Sequence, residues 1–328
     1  MDYFVIGSST HARPASERTI YCDGASGDFR EGVDLELSHW IPNRTPTELK
    51  ADTSTGICLR FARTPELARY DLAVNNHVDV DGILSVFAIV HPELSLAHES
   101  TLVGAAEMGD FFLWAEEPAQ VLYQALTLEI EKGGDVYPRA IERTRQVLAG
   151  EVPPEVHGGL RALARAVARI EGGEVERRLL HERFVSYGLP SPENPRELNA
   201  LLDEDLARAR ARLDPERVQL VSTSTPRGWF HDLWYPGYAW ADVVSLWLPE
   251  GRIEDDGFRN GRLALSLDEL AAREGARGEW RLTDRLSLFG TLPGRGFPIV
   301  ASFMREGVPA PSTLHPELVA SVLAPVFA

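Results

Sequence analysis

The segment Asn75-Asn76-His77-Val78-Asp79-Val80-Asp81-Gly82 sets one imidazole and two carboxylates at alternate positions. Alternate side chains of an extended chain share a face, so His77, Asp79 and Asp81 can converge on one cation. Gly82 then permits a sharp turn of the backbone. A histidine with two carboxylates suits Mn²⁺, Fe²⁺ or Zn²⁺, whereas Ca²⁺ prefers oxygen ligands alone. Such a centre acidifies water and clamps a phosphoryl oxygen. The competing reading is a turn in which Asn, Asp and Gly satisfy backbone groups, with Asp81 as the N-cap of the next helix. The histidine two positions ahead, the apolar segment before and the apolar run after weigh toward the metal.

Further groups are second-rank candidates. His98-Glu99 can add ligands if its helix folds back over the site, against the simpler reading of a helix-end histidine. His39 and Asp52 flank a Ser/Thr-rich stretch ending in Gly56, where backbone N–H groups can face an anion, though without P-loop spacing. The run 228–240 is unusually aromatic, and Trp229 and His231 are its candidate substrate contacts. Aromatic clusters can stack a base or sugar, but they more often build a core. Arg227 and Arg295 are candidate guanidinium partners for a phosphate or carboxylate, with a plain surface role as the alternative.

These residues need elements to hold them. Residues 19–22, 33–37 and 56–61 have the β-rich content of strands. Residues 70–74 read as a buried strand running into the polar cluster, and 83–90 as an apolar helix leaving it. The cluster therefore sits where a strand ends and a helix begins, the position at which ligands collect in open α/β sheets. From 93 to 213 the pattern is helical almost throughout, including 99–109, 118–132, 138–149, 159–170 and 174–187. Strands resume at 217–222, 241–248, 262–267 and 298–303, with helices at 267–274 and 315–326.

The fragment His77-Val78-Asp79-Val80-Asp81-Gly82 resembles the first motif of the DHH phosphoesterase superfamily, and Gly109-Asp110-Phe111 resembles the second. The resemblance spans residues 71–111. The Asp-His-His triplet that names the family is absent, so the chain reads as a divergent branch. The resemblance implies a manganese centre held by His77, Asp79, Asp81 and Asp110, with Asp110 following the next strand. It implies hydrolysis of a small phosphorylated or nucleotide-like substrate by metal-activated water. The alternative is a non-catalytic ligand- or partner-binding protein that retains a DHH-like fold.

Composition bounds the rest. The chain has 328 residues, 44% hydrophobic and 25% charged, within the ordinary globular range. A net charge of −16 weighs against an extended nucleic-acid surface. No run of about 18 apolar residues suggests a membrane span. Two cysteines are too few for a disulfide scaffold and point to reduced thiols in the cytoplasm. The expected architecture is α/β: a DHH-like metal-binding sheet domain over 1–135, a helical connector over 136–216, and a smaller α+β substrate domain over 217–328.

Overall fold

The computed structural model describes residues 1–24, 26–191, 203–215, 217–235, 261–283, 292–295 and 299–328. The expected strand at 241–248 lies outside them. The chain is mixed α/β, and its described residues divide into two compact units, one up to Ala162 and the other from Leu163 onward. The division falls inside one helix, not at the expected 135/136 and 216/217 boundaries.

The first unit is built on four parallel strands: β1 (Asp2–Val5), β2 (Thr19–Cys22), β3 (Leu35–Leu37) and β4 (Leu72–Asn75). Their order is β1-β4-β2-β3. β2 and β4 are buried along their whole length, as parallel strands covered on both faces must be. Parallel strands place their carboxyl ends side by side, so Asp23, His39 and His77 leave the sheet on one edge.

Around it lie α1 (Ser54–Ala62), α2 (Val80–Val90), α3 (Pro92–Ala97), α4 (Glu99–Asp110), α5 (Glu117–Glu131) and α6 (Val136–Leu148). α2 is buried from Val80 to Ile89 and packs against α1 and α4, which is why its sequence is apolar all round. α1 replaces the strand expected at 56–61. Its Ile, Cys, Leu and Phe are nearly all buried, so no alternation separates strand from helix. The Thr53 side chain caps it, accepting from Gly56 N, and decides for the helix. Cys22 and Cys58 are free and buried.

α7 (His157–Glu171) leads into the second unit. The helix expected at 174–187 is instead the antiparallel pair β5 (Glu176–His181) and β6 (Phe184–Leu189). β5 is an exposed edge strand, so its charged positions carry no inward-outward alternation to give it away. The sheet continues through β7 (Val218–Thr225), β8 (Gly228–Trp234), β9 (Glu279–Leu282), β10 (Ile299–Arg305) and β11 (Val308–Pro309). Its path is β11-β10-β8-β7-β6-β5, with β9 on β10. Helices α8 (Glu204–Leu213), α9 (Arg262–Glu274) and α10 (Pro316–Leu323) complete the unit. The expected strand at 262–267 is therefore the start of α9, whose Leu263, Leu267 and Leu270 enter the core beside Phe184, Leu220, Phe303 and Leu323. No helix among the described residues is long and apolar enough to cross a membrane.

Candidate metal centre

β4 ends in Asn75, whose side chain ties the turn to both neighbours. Its Oδ1 accepts from His77 N at 2.7 Å, and its Nδ2 donates to the Cys22 carbonyl at 3.0 Å. The chain does not stay extended through the motif. Asp79, not Asp81, is the N-cap of α2, its Oδ1 accepting from Gly82 N at 2.7 Å. Asp81 lies in the first helical turn, so the shared-face argument fails for it. Gly82 is required by space: a Cβ there would stand 2.7 Å from Asn75 Nδ2 and 3.0 Å from Asp79 Oδ1. Tyr137 braces the turn from α6, donating from its hydroxyl to the His77 carbonyl at 3.1 Å.

Two groups result, and they share Asp23. In the outer one, His77 Nε2 lies 2.9 Å from Asp23 Oδ2 and 3.1 Å from Asp79 Oδ2. It makes a directed hydrogen bond to neither, although it is buried. In the inner one, His39 Nε2 lies 3.6 Å from Asp23 Oδ1, 3.5 Å from Asp81 Oδ2 and 3.5 Å from Asp110 Oδ2. The triads Asp23–His77–Asp79 and Asp23–His39–Asp81 each bring their ligand atoms within 4.8 Å of one another.

Both imidazoles are oriented in the same way. His39 Nδ1 contacts the Asp52 carbonyl at 2.6 Å, and His77 Nδ1 contacts Asn76 Oδ1 at 2.8 Å. With a proton on each Nδ1 to meet those oxygens, Nε2 is the nitrogen left with a lone pair, aimed at carboxylates. An outer oxygen that fixes the tautomer of a histidine is the usual partner of a metal ligand. Asp23 Oδ1 also accepts from Trp40 Nε1 at 2.9 Å and from the Ser54 hydroxyl at 2.7 Å. Asp81 receives the backbone N–H groups of Ser54 and Thr55, both at 2.8 Å, at the N-terminus of α1, where helix geometry favours an anion.

The electrostatics show a site short of positive charge. Burial, with Asp81, Asp79 and Asp23 nearby, pushes the Asp110 carboxyl well above the ordinary range. Its Oδ2 is buried without a hydrogen bond. Burial and Asp23 raise Asp81 to about 6, against the lowering pull of His39 and the Thr55 side chain. Burial opposes a charge on His77, but Asp23 and Asp79 carry it up to about 11. Asp23 is buried as well, yet His77, His39 and Ser54 hold it below its usual value. Among the described residues, the ion pairs of these four aspartates are with His39 and His77 alone. Such a cluster fits a divalent cation: converging ligand atoms, orphaned polar atoms and an excess of carboxylate.

The outer and inner groups differ in access. His77 and Asp79 are 26% and 42% exposed, whereas His39, Asp23 and Asp81 are at most 1% exposed. The cluster therefore opens on the His77–Asp79 side.

The sequence profile of one family, described as a family of unknown function (DUF6687), matches residues 6–185, just over half of the chain. The chain belongs to this family. No curated protein and no solved structure matches it. The matched segment contains Asp23, His39, His77, Asp79, Asp81 and Asp110, and it stops before most of the second unit.

His77, Asp79, Asp81 and Asp110 are thus brought together as expected, although Asp110 ends helix α4 instead of following a strand. His98 is not with them. It precedes α4 while Asp110 closes it, so the helix separates them by about 18 Å. His39 takes the place expected of His98, and Asp23 was not foreseen. Its one local signal is position: it directly follows Cys22 at the end of β2, much as His77 comes two residues after the end of β4.

The expected substrate contacts all lie in the second unit. His231 is buried with both ring nitrogens engaged, by the Ser222 hydroxyl at 2.8 Å and the Leu314 carbonyl at 3.0 Å. Burial lowers it to about 4, and it is a neutral core residue, not a ligand contact. Arg295 is likewise internal, its Nε 2.6 Å from Asp232 Oδ1, so its guanidinium serves a buried pair. Arg227 is exposed in the β7–β8 turn. Trp229 lines a cavity of about 290 Å³ with Ser224, His315 and Glu317.

Proposed function

We propose that this cluster is a divalent-metal centre and that the protein is a metal-dependent hydrolase of phosphoesterase type. Its substrate is a small phosphorylated or nucleotide-like molecule. The observation that carries the reading is the pair of histidines, each with Nδ1 on an oxygen and Nε2 turned to carboxylates, joined through Asp23. Mn²⁺ suits the mixture of imidazole and carboxylate ligands. Asp23, His77 and Asp79 would hold an outer ion, and Asp23, His39, Asp81 and Asp110 an inner one. A bound divalent ion supplies Lewis acidity toward a phosphoryl oxygen and makes water a stronger acid.

The chain's own residues do the rest. Asp52 and Asn76 keep the two Nε2 atoms available. The α1 amides hold the Asp81 carboxylate in place. The partial exposure of His77 and Asp79 leaves the outer side open to substrate and water. The DHH-type ancestry belongs to the same reading: Asp23 and His39 would stand in for the missing Asp-His-His triplet.

The test is metal content. Purified wild type should carry or take up Mn²⁺, and the Asp79→Ala/Asp81→Ala double variant should lose it. Wild type should also release p-nitrophenol from bis(p-nitrophenyl) phosphate only with metal present. Equal metal content in the two proteins would sink the idea. Metal binding without hydrolysis of any phosphoester would instead assign the centre to ligand binding.

A further inference from the structure

The first unit has a second feature within one helical turn of the centre. Phe112 has φ 54°, and this left-handed residue turns the chain just after α4. The following segment runs along α4, and between them lies a groove of about 400 Å³. Its walls are Val103, Gly104, Trp114, Ala115, Pro118 and Ala119, with Ser100, Thr101, Glu107 and Glu116 as the polar groups. Gly104 sets its width, because a Cβ there would stand 3.1 Å from the Cβ atoms of both Ala115 and Ala119.

That size and a mainly apolar lining with a few polar groups are what small-molecule sites share. None of the ten lining residues is Lys or Arg, so the groove is not built for phosphate. It suits an uncharged, flat group that can lie against an indole ring and bond to a carboxyl. Glu107 precedes Asp110 by three residues on α4, which puts the two on adjacent parts of one helix face. The groove therefore starts beside the cluster and leads away from it.

We propose that this groove receives the heterocyclic base of a nucleotide substrate, stacked on Trp114 and hydrogen-bonded by Glu107, while the phosphate lies at the aspartate–histidine centre. The assignment deepens the proposed function and rests on it for the phosphate end only. Burial, with the charges of Asp52 and Asp81, raises Glu107 to about 7. Its carboxyl can accept from a base N–H or, when protonated, donate to a ring nitrogen. Stacking on an aromatic ring is tolerant of base identity, so purine selectivity would come from Glu107.

The experiment is calorimetric titration of adenosine and guanosine into EDTA-treated protein, and of 5′-AMP and ribose 5-phosphate into Mn²⁺-loaded protein. Wild type should bind a nucleoside saturably without metal, and 5′-AMP at least tenfold tighter than ribose 5-phosphate. Trp114→Ala and Glu107→Leu should each remove most of that preference while Mn²⁺ stoichiometry and circular dichroism stay unchanged. Glu107→Leu fills the same space without a polar group, so it guards against a simple folding defect. No nucleoside binding by wild type, or an unchanged preference in both variants, overturns the proposal. Nucleoside binding by a protein that takes up no Mn²⁺ would support the groove and overturn the metal reading, so the two failures are distinguishable.

Discussion

Replacing Asp110 by Asn should stabilise the metal-free protein and weaken its response to manganese. Asp110 is buried beside Asp23, Asp79 and Asp81, and its Oδ2 makes no hydrogen bond. Folding the metal-free chain requires this carboxyl either to stay ionised among like charges or to take up a proton. Both options cost free energy. An unsatisfied buried polar atom alone costs about 1–3 kcal/mol. The sign with pH follows from linkage: a carboxyl with a raised folded-state value binds its proton more tightly in the folded state, so stability falls as pH rises from the ordinary carboxylate range toward that value. Asp81 adds to the same trend, its displacement from 3.8 to about 6 corresponding to about 3 kcal/mol once pH exceeds 6. Asp110→Asn removes one of these charges and offers an amide N–H where His39 Nε2 stands 3.5 Å from the Asp110 carboxylate. A gain of about 1–3 kcal/mol would raise the melting temperature by about 2–4 °C per kcal/mol in a unit of this size. Manganese works in the opposite direction. At about a hundred times Kd it should stabilise wild type by about 2.7 kcal/mol per site, and the variant should lose the inner-site share. Thermal melts of both proteins at pH 5, 6.5 and 8, with EDTA and with Mn²⁺, measure all of this. A variant less stable than wild type in EDTA, with an unchanged Mn²⁺ increment, would refute the reasoning.

Two further outcomes are expected. Gly82→Ala places a Cβ 2.7 Å from Asn75 Nδ2 and 3.0 Å from Asp79 Oδ1, so it should cost about 1–3 kcal/mol from overpacking. It should also weaken Mn²⁺ binding at least tenfold, as read by calorimetry. In the second unit, His231 is held neutral, its value lowered from 6.5 to about 4 by burial. Its contribution is complete above pH 6.5 and lost as pH falls toward 4, a change of about 3 kcal/mol. Urea unfolding of His231→Gln should show a correspondingly flatter dependence over that window, and equal slopes for both proteins would count against it.

The α/β class was legible because its signals are local. β2, β3, β4 and β10 are short apolar or alternating runs bounded by turn residues, and α2, α4 and α5 begin and end on recognisable stops. The misreadings share a cause. In α1 all but Gly56 and Arg60 are buried, and in β5 almost nothing is, so neither shows the period that distinguishes helix from strand. Arg262-Leu263-Ala264-Leu265-Ser266-Leu267 alternates like a strand, yet its leucines at 263, 267 and 270 also have helical spacing, and packing against the core selected the helix. The aromatic content of 228–235 proved mainly internal: β8 is paired on both sides, by β7 and β10, and His231 and Trp234 are core residues.

The site was half legible for a reason that lies in the topology. His77, Asp79 and Asp81 fall within five residues, so their chemistry shows in the sequence. Asp23 and His39 are more than thirty residues away from that motif, and nothing local pairs them with it. They meet because parallel strands β2, β3 and β4 end together, which is a property of the sheet and not of any segment. Asp23 does leave one structural trace: its φ of 57° is left-handed, a conformation uncommon for a residue other than glycine, though less so for Asp and Asn. Strain of this kind persists where the surroundings fix a side chain for use. Here Trp40, Ser54 and His77 converge on the Asp23 carboxylate, and the carboxylate faces both histidines. If Asp23 served only the turn, the Gly24 that follows it would be the better residue at its own position. An aspartate held in that backbone conformation, buried and between two imidazoles, is what the proposed centre requires of a ligand shared between two ions.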